Sequence, residues 1–242
     1  MPLKNNPAAI VAPPALAVAL IVCAALVAVG VPIAVAAAPG LAAGVLVSAW
    51  LWSRAPQSAI RALGARPLRH GDHPRLENLI EGLCTTHGFP QPSIHVVDSP
   101  AVNAATAGLS GAPGHLVLTR GALVGLDRLE LEAVVTRQLC ETRRGVVAGT
   151  VLASVAKIPG ARLFTTPLAA QTRGFSAVTE VDLEAVQLTG FPPGLATALR
   201  KALAGADTEA AAAVAHLWLI PPTGSHGTRS ETGQRIDLLG EV

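Results

Sequence analysis

From Asn5 to Ser53 the chain carries no charged residue, whereas about 20 consecutive apolar residues suffice to cross a bilayer as a helix. The run therefore has room for two crossings. Val29, Gly30, Val31 and Pro32 make the best turn, so helices are predicted near 10–29 and 33–53, with Pro39 and Gly40 as a second candidate break. A cleaved signal segment fits less well, because its apolar part runs to only about 7–15 residues. Lys4 lies on one flank and Arg54, Arg61, Arg66 and Arg69 crowd the other, a distribution that keeps both flanks in the cytoplasm. Trp50 and Trp52 stand where interfacial aromatics anchor a helix end. Residues 1–54 are thus expected to form a membrane anchor, and residues 55–242 a soluble domain facing the cytoplasm.

Composition agrees with membrane attachment: half of the residues are hydrophobic, mean hydropathy is +0.47 and only 14% are charged. A net charge of +2 with 3% aromatic residues offers no basic field with interleaved stacking rings, so no nucleic-acid partner is expected. Cys23, Cys84 and Cys140 are odd in number and widely spaced, which fits reduced thiols and neither a disulfide framework nor a zinc knuckle.

Beyond the anchor, "HPRLENLIEGLCTTHG" sets Leu76, Leu79, Ile80 and Leu83 at helical spacing after Pro74 and closes on Gly88. "SIHVVD" (93–98), "NAATAGL" (103–109) and "HLVLTR" (115–120) read as strands, the last two separated by Gly111, Pro113 and Gly114. "DRLELEAVVTRQLCETRR" reads as a helix with Asp127 as its N-cap, and "VTEVDLEAVQLTG" and "PGLATALRKALAG" as two more, ended by Gly190 and Gly205. "GVVAGTVLASVA" (145–156), between Arg144 and Lys157, is too short to span and is expected to be a buried or membrane-grazing helix. The alanine run at 210–213 is good helix sequence.

The order of these pieces, in particular "PSIHVVDSPAVNAATAG", "HLVLTRGAL", "LELEAVV", "HLWLIPP" and "TRSETGQRI", resembles the HtpX and CAAX prenyl endopeptidase family of integral-membrane zinc metallopeptidases. The likeness runs from about residue 44 to residue 240. It implies a mainly helical α+β protein: an N-terminal transmembrane hairpin, then a zincin-like metallopeptidase domain whose small β-sheet packs on the former active-site helix, in a bacterial-type plasma membrane. In such enzymes two histidines of HExxH grip Zn²⁺ from one helix face and the glutamate between them is the general base.

Every one of those chemical positions differs here. Arg137 stands for the first histidine and cannot ligate a metal. Gln138 replaces the general base and cannot take a proton. Glu141 replaces the second histidine. The third ligand, four residues before the aspartate matched to Asp182, falls on Val178, while Glu180 sits about 200° away round the helix. Near the C-terminus Thr228, Arg235 and Ile236 match the family segment, but Arg229 stands in place of its histidine. No catalytic residue, no bound metal and no zinc cofactor are therefore expected.

Three other arrangements compete. A rebuilt metal site would need Cys140, His115, His216 or His226, although Cys140 and Glu141 are about 100° apart on their helix and His216 fits a structural role better. A Cys140 nucleophile would have Arg137 and Arg144 to favour its thiolate, but no histidine is tied to it in sequence. Arg137 and Glu141, four apart, pair either as an ordinary solvated couple or as a buried one in which the guanidinium stands in for the missing cation. The strand Asn103, Ala104, Ala105, Thr106, Ala107 and Gly108 is the candidate peptide-binding edge, by strand addition through backbone groups. The expected function is that of a membrane-anchored pseudoprotease acting on a protein or peptide partner by binding. The alternatives are an active membrane zinc endopeptidase and a purely structural membrane protein.

Overall fold

The computed structural model describes residues 7–109, 112–144, 146–156, 174–209, 211, 214–223 and 229–241. Two long apolar helices lead the chain, α1 (Pro7–Ala28) and α2 (Ile33–Ala62). By length and composition both are able to cross a membrane. The turn between them falls at the expected residues and needs Gly30, whose φ of +90° suits a residue without Cβ. Pro39 is carried inside α2 and does not end it, and α2 runs nine residues beyond Ser53, the expected end. Its last turns bury Ala55, Ala59 and Ile60, so the helix continues for as long as it has an apolar face to cover.

Small residues set how closely the hairpin closes. Ala36, Gly40 and Gly44 recur every fourth position on the buried face of α2. A Cβ on Gly40 would lie 2.8 Å from the Ala19 carbonyl oxygen of α1, and one on Gly44 would lie 2.9 Å from that of Ala15. Between apolar helices in lipid, close backbone approach is a main source of association. Gly40→Val is therefore expected to force α1 and α2 apart, at a cost of about 1–3 kcal/mol, and to lower the thermal midpoint in detergent by roughly 5 °C. Gly82→Ala, at a helical glycine with open space around it, is the control and should not lower it.

After α2 come the short strand β1 (Arg66–Pro67), helix α3 (Pro74–His87), and strands β2 (Ser93–Val97), β3 (Ala104–Ala107) and β4 (His115–Thr119). The sheet order is β1-β2-β4-β3, with β2 and β4 parallel and the other two pairs antiparallel. All three sequence-predicted strands are shorter than expected, β2 by the single residue Asp98. β3 begins after Asn103, whose side chain is engaged elsewhere, and β4 ends at Thr119, whose hydroxyl accepts the Ala122 N–H and starts helix α4 (Arg120–Gly125). Strands β1 and helix α4 were not anticipated.

Helix α5 (Arg128–Arg144) follows. Its start is a reciprocal cap: Asp127 Oδ1 accepts the Glu130 N–H at 2.9 Å, and Glu130 Oε2 accepts the Asp127 N–H at 2.8 Å. Then come α6 (Val147–Val155), α7 (Phe175–Thr189), α8 (Pro192–Ala204), a single 3₁₀ turn at Ala215–Leu217 and α9 (Arg229–Gly240). Gly88 and Gly190 end their helices in the left-handed region as expected, whereas Gly205 caps α8 in an extended conformation.

Alternation along the strands divides the core. Ala104, Leu116 and Leu118 face α5 and join Leu76, Ile80, Val135, Leu139, Val186 and Leu199. Ala105, Ala107 and Val117 face the other way, onto Ala59 and Ile60 of α2, Leu63 just after it, Ala153 of α6 and the fully buried Trp218. A period of two sends neighbours to opposite faces, and both are covered, so the centre of β4, Leu116–Val117–Leu118, is apolar on both faces. Helix α6 is buried, its Val147, Val151, Leu152 and Val155 packing on Ile10 and Val11 of α1 and Leu51 and Ala55 of α2. The start of α1 and the later part of α2 thus meet one short helix at the same end of the hairpin.

Candidate functional site

Helix α5 is buried on nearly all sides from Glu130 to Cys140, so its polar residues must find partners inside the protein. Arg137 is completely buried. Its Nε donates to Asp182 Oδ1 at 3.1 Å, and its Nη1 donates to Gln138 Oε1 at 3.1 Å and to the carboxylate of Glu141. Asp182, on α7, also receives Arg235 of α9: Nε to Oδ2 at 2.6 Å and Nη2 to Oδ1 at 3.0 Å. Arg235 spends its remaining Nη1 donor on the Leu219 carbonyl at 3.1 Å. Among the described residues, two guanidinium groups and two carboxylates from three helices therefore form one largely buried network.

Its electrostatics follow from that arrangement. Burial alone would raise the Asp182 pKa, but Arg235 and then Arg137 outweigh it and hold the carboxyl below its ordinary range. Burial likewise pulls on the Arg137 guanidinium, and Glu141 and Asp182 more than compensate, keeping it charged. The pair of Arg137 and Glu141 is thus the buried one of the two forms considered from sequence. Glu141, with its side chain 14% exposed, is the network's contact with solvent.

The neighbouring positions are settled in the same way. Gln138 is buried and its Oε1 also accepts the Thr106 hydroxyl at 2.8 Å. Val178 is half-buried on α7. Glu180 points away from the site, as expected from its angle, and pairs with Arg144 at 2.9 Å. Arg143 and Arg144 both reach Glu184, and Arg143 lies over the Phe89 ring at 5.0 Å from its centroid. These exposed pairs contribute little individually, yet they tie the end of α5 to α7 in the register that sets Asp182 beside Arg137.

Alternative ligands are scattered. His216 is buried with Nε2 3.1 Å from the Gly149 carbonyl, a packing contact so close that a Cβ on Gly149 would meet that ring at 2.8 Å. His115 sits on β4 beside His95, ring centroids 5.2 Å apart. His226 and Thr228 lie outside the described residues. Among the described residues no three of His, Cys, Asp and Glu cluster in a way that could hold a metal ion, and a permanently cationic Arg137 fits no zinc at this position.

Cys140 is fully buried. Burial first, then the Glu184 charge, push its thiol up to about 12 despite the nearby arginines. A nucleophilic role asks for the opposite shift. Iodoacetamide at pH 8 is expected to leave Cys140 unmodified in the folded protein and to alkylate it once the chain is denatured, as read by peptide mass spectrometry.

The strand expected to receive a peptide is already engaged. Sheet order makes β3 an edge strand, but Ala105 forms an antiparallel bridge with Trp218, and the Leu219 N–H donates to the Ala104 carbonyl at 2.6 Å. Asn103 completes the contact as a stand-in for backbone. Its Nδ2 donates to the Ile220 carbonyl at 2.7 Å and to Thr208 Oγ1 at 2.9 Å, and its Oδ1 accepts the Ile220 N–H at 3.1 Å. At the other end the Gly108 N–H donates to Thr150 Oγ1 at 3.0 Å. Ala104, Ala105, Thr106 and Ala107 are all buried. Strand addition along Asn103–Gly108 would have to displace the chain's own segment Trp218–Ile220.

Asp182 and Arg235 are the site residues whose role sequence reasoning left unassigned. Both were matched to family positions, but nothing in their spacing said that one carboxylate joins two guanidinium groups.

No family model matches the chain. Several curated proteins are similar to part of it. A "Protease HtpX homolog" of Dictyoglomus thermophilum is 32% identical over 109 residues, 45% of this chain and 36% of that protein. One of Bacteroides fragilis is 33% identical over 106 residues, 43% of this chain and 33% of that protein. One of Tropheryma whipplei is 38% identical over 81 residues, 34% of this chain and 28% of that protein. The matched stretch spans about a third of the length of these relatives.

Proposed function

We propose, from the premise that this chain is HtpX-like, that it is a membrane-anchored pseudoprotease: a metallopeptidase-like domain that holds no catalytic zinc and acts by binding a polypeptide. The observation that carries this reading is the placement of Arg137. Its guanidinium lies within the group of Gln138, Glu141 and Asp182, so a fixed positive charge already satisfies the carboxylates that would otherwise attract a cation. Gln138, whose carboxamide is held by Arg137 and Thr106, has no basic lone pair with which to activate water. Chemistry at this site reduces to hydrogen bonding and charge, which suits recognition and not hydrolysis.

In this reading α1 and α2 cross the bilayer as a hairpin, and the arginines Arg54, Arg61, Arg66 and Arg69 keep the domain on the cytoplasmic side. Lipid is then the first partner and a membrane or membrane-proximal polypeptide the second.

A competing reading, an active zinc endopeptidase, is favoured by the relatives' description as proteases. Incubating the detergent-purified full chain with unfolded casein and added Zn²⁺ separates the two. A pseudoprotease leaves casein intact at a level indistinguishable from a chelator control. Chelator-sensitive cleavage would establish the enzyme.

A further inference from the structure

One face of α2 stays exposed along its second half while its chemistry changes. Leu46, Trp50, Arg54, Gln57 and Arg61 are all exposed and follow at steps of four, four, three and four residues, which holds them within an arc of about 80°. The opposite face of these turns buries Leu51 and Ala55 against α6 and Ala59 against the sheet. The stripe is thus the side that the rest of the protein leaves uncovered. Along the chain it passes from aliphatic to aromatic to basic, the order in which a bilayer passes from hydrocarbon to headgroup.

Length places the change. Residues 33–53 of α2 make a helix about 31 Å long, which covers a hydrocarbon core of about 30 Å. Trp50, 58% exposed, then lies at the edge of the hydrocarbon, with Arg54 about 6 Å and Arg61 about 16 Å further along the axis. Helical side chains lean toward the N-terminus of their helix, which for α2 is back toward the bilayer. Charge is one-sided here as well. The chain has no acidic residue before Asp72, and among the described residues no carboxylate pairs with Arg54 or Arg61. An exposed guanidinium without an internal carboxylate is able to take an oxyanion, and its planar fork matches a phosphate. A zwitterionic lipid carries its own cation beside the phosphate and an anionic one does not, so two such arginines discriminate between them.

We propose that the stripe of Trp50, Arg54, Gln57 and Arg61 is a binding surface for anionic phospholipid headgroups. Arg54 meets a headgroup phosphate, and Arg61 adds attraction from within about one Debye length. The inference rests on α1 and α2 crossing the bilayer and goes beyond it: an apolar hairpin is held by any bilayer, whereas this surface gives the protein a choice among lipids.

The test uses the full chain reconstituted into vesicles of equimolar phosphatidylcholine and phosphatidylglycerol, with brominated acyl chains placed on one lipid or on the other, and reads quenching of tryptophan fluorescence. Trp50 and Trp52 report from the membrane edge, while Trp218 is buried in the domain. Quenching by brominated phosphatidylglycerol is expected to be the stronger, corresponding to a preference of about fivefold or more, and to fall toward parity in about 1 M salt. Arg54→Gln combined with Arg61→Gln should bring the two quenching levels together, Arg66 and Arg69 remaining to hold the orientation. Arg128→Gln combined with Arg200→Gln, at exposed arginines of α5 and α8, should leave the difference intact. Equal quenching by the two lipids in wild type, or a difference that survives the loss of Arg54 and Arg61, would overturn the surface. The wild-type comparison decides even if a variant does not fold. Alkaline carbonate extraction of the same vesicles keeps the outcomes distinct: a chain retained in the membrane and quenched equally fails this inference alone, whereas a chain released from it fails the membrane-anchored reading as well.

Discussion

Replacing Asp182 with alanine is expected to destabilise the fold by about 3–5 kcal/mol, the usual consequence of removing one partner from a buried ionic group. Against a total stability of roughly 5–15 kcal/mol for a domain, the variant should be barely folded or unfolded in denaturant titration. The loss falls unequally on the two arginines. Arg137 keeps Glu141 and Gln138, but Arg235 is left with only the Leu219 carbonyl, an uncompensated charge in a site 4% exposed. Asp182→Asn, which retains an acceptor, should cost less. The same carboxylate sets an acid limit. Its folded pKa is depressed, so its contribution is fully present above the ordinary value of about 3.9 and is lost as pH falls through the lower folded value. Wild type should lose stability more steeply than Asp182→Asn as pH falls below about 4. Parallel curves would show that Asp182 is not held as described.

Asn103→Ala is the second large effect, about 3 kcal/mol, or roughly 6–12 °C in thermal midpoint. The substitution strands the Ile220 N–H, the Ile220 carbonyl and the Thr208 hydroxyl in a buried place, and each unmade group costs about 1–3 kcal/mol before relaxation. A strand edge kept open for a peptide would respond differently: there Asn103→Ala would spare stability and affect only binding. A midpoint within a degree or two of wild type would therefore restore the open-edge reading of Asn103–Gly108.

The hairpin, its turn and the helical frame were legible because charge-free length, glycine caps and apolar periodicity are local signals. Asp127 and Glu130 spell out their cap within four residues, and Gly88 and Gly190 end helices for a steric reason visible in the residue itself. That Arg137 and Val178 offer zinc no donor atom and that Gln138 is no base was legible too, from residue type alone. What fills the space was not. Asp182 Oδ1 meets Arg137 across 45 residues and Oδ2 meets Arg235 across 53, distances at which spacing carries no information. The engagement of Asn103 was not legible for the same reason: its partner Ile220 is 117 residues away, and a strand bounded by glycine looks like a free edge until the returning segment is placed against it. Gly40 and Gly44 had a readable signal, a four-residue spacing in an apolar helix, but Gly40 was weighed only as a break.

A guanidinium network of Arg137 and Arg235 with Asp182 and Glu141 occupies the interior of this domain, and the proposal is that no catalytic metal does. The most direct measurement is the zinc content of the detergent-purified full chain by elemental mass spectrometry, beside a chain carrying Arg137→His, Gln138→Glu, Glu141→His and Val178→Glu. The wild type is predicted to hold far less than one zinc per chain and the fourfold variant to gain metal. About one tightly held zinc per wild-type chain, lost on changing Glu141, would contradict the account and make this protein an enzyme with an unorthodox site.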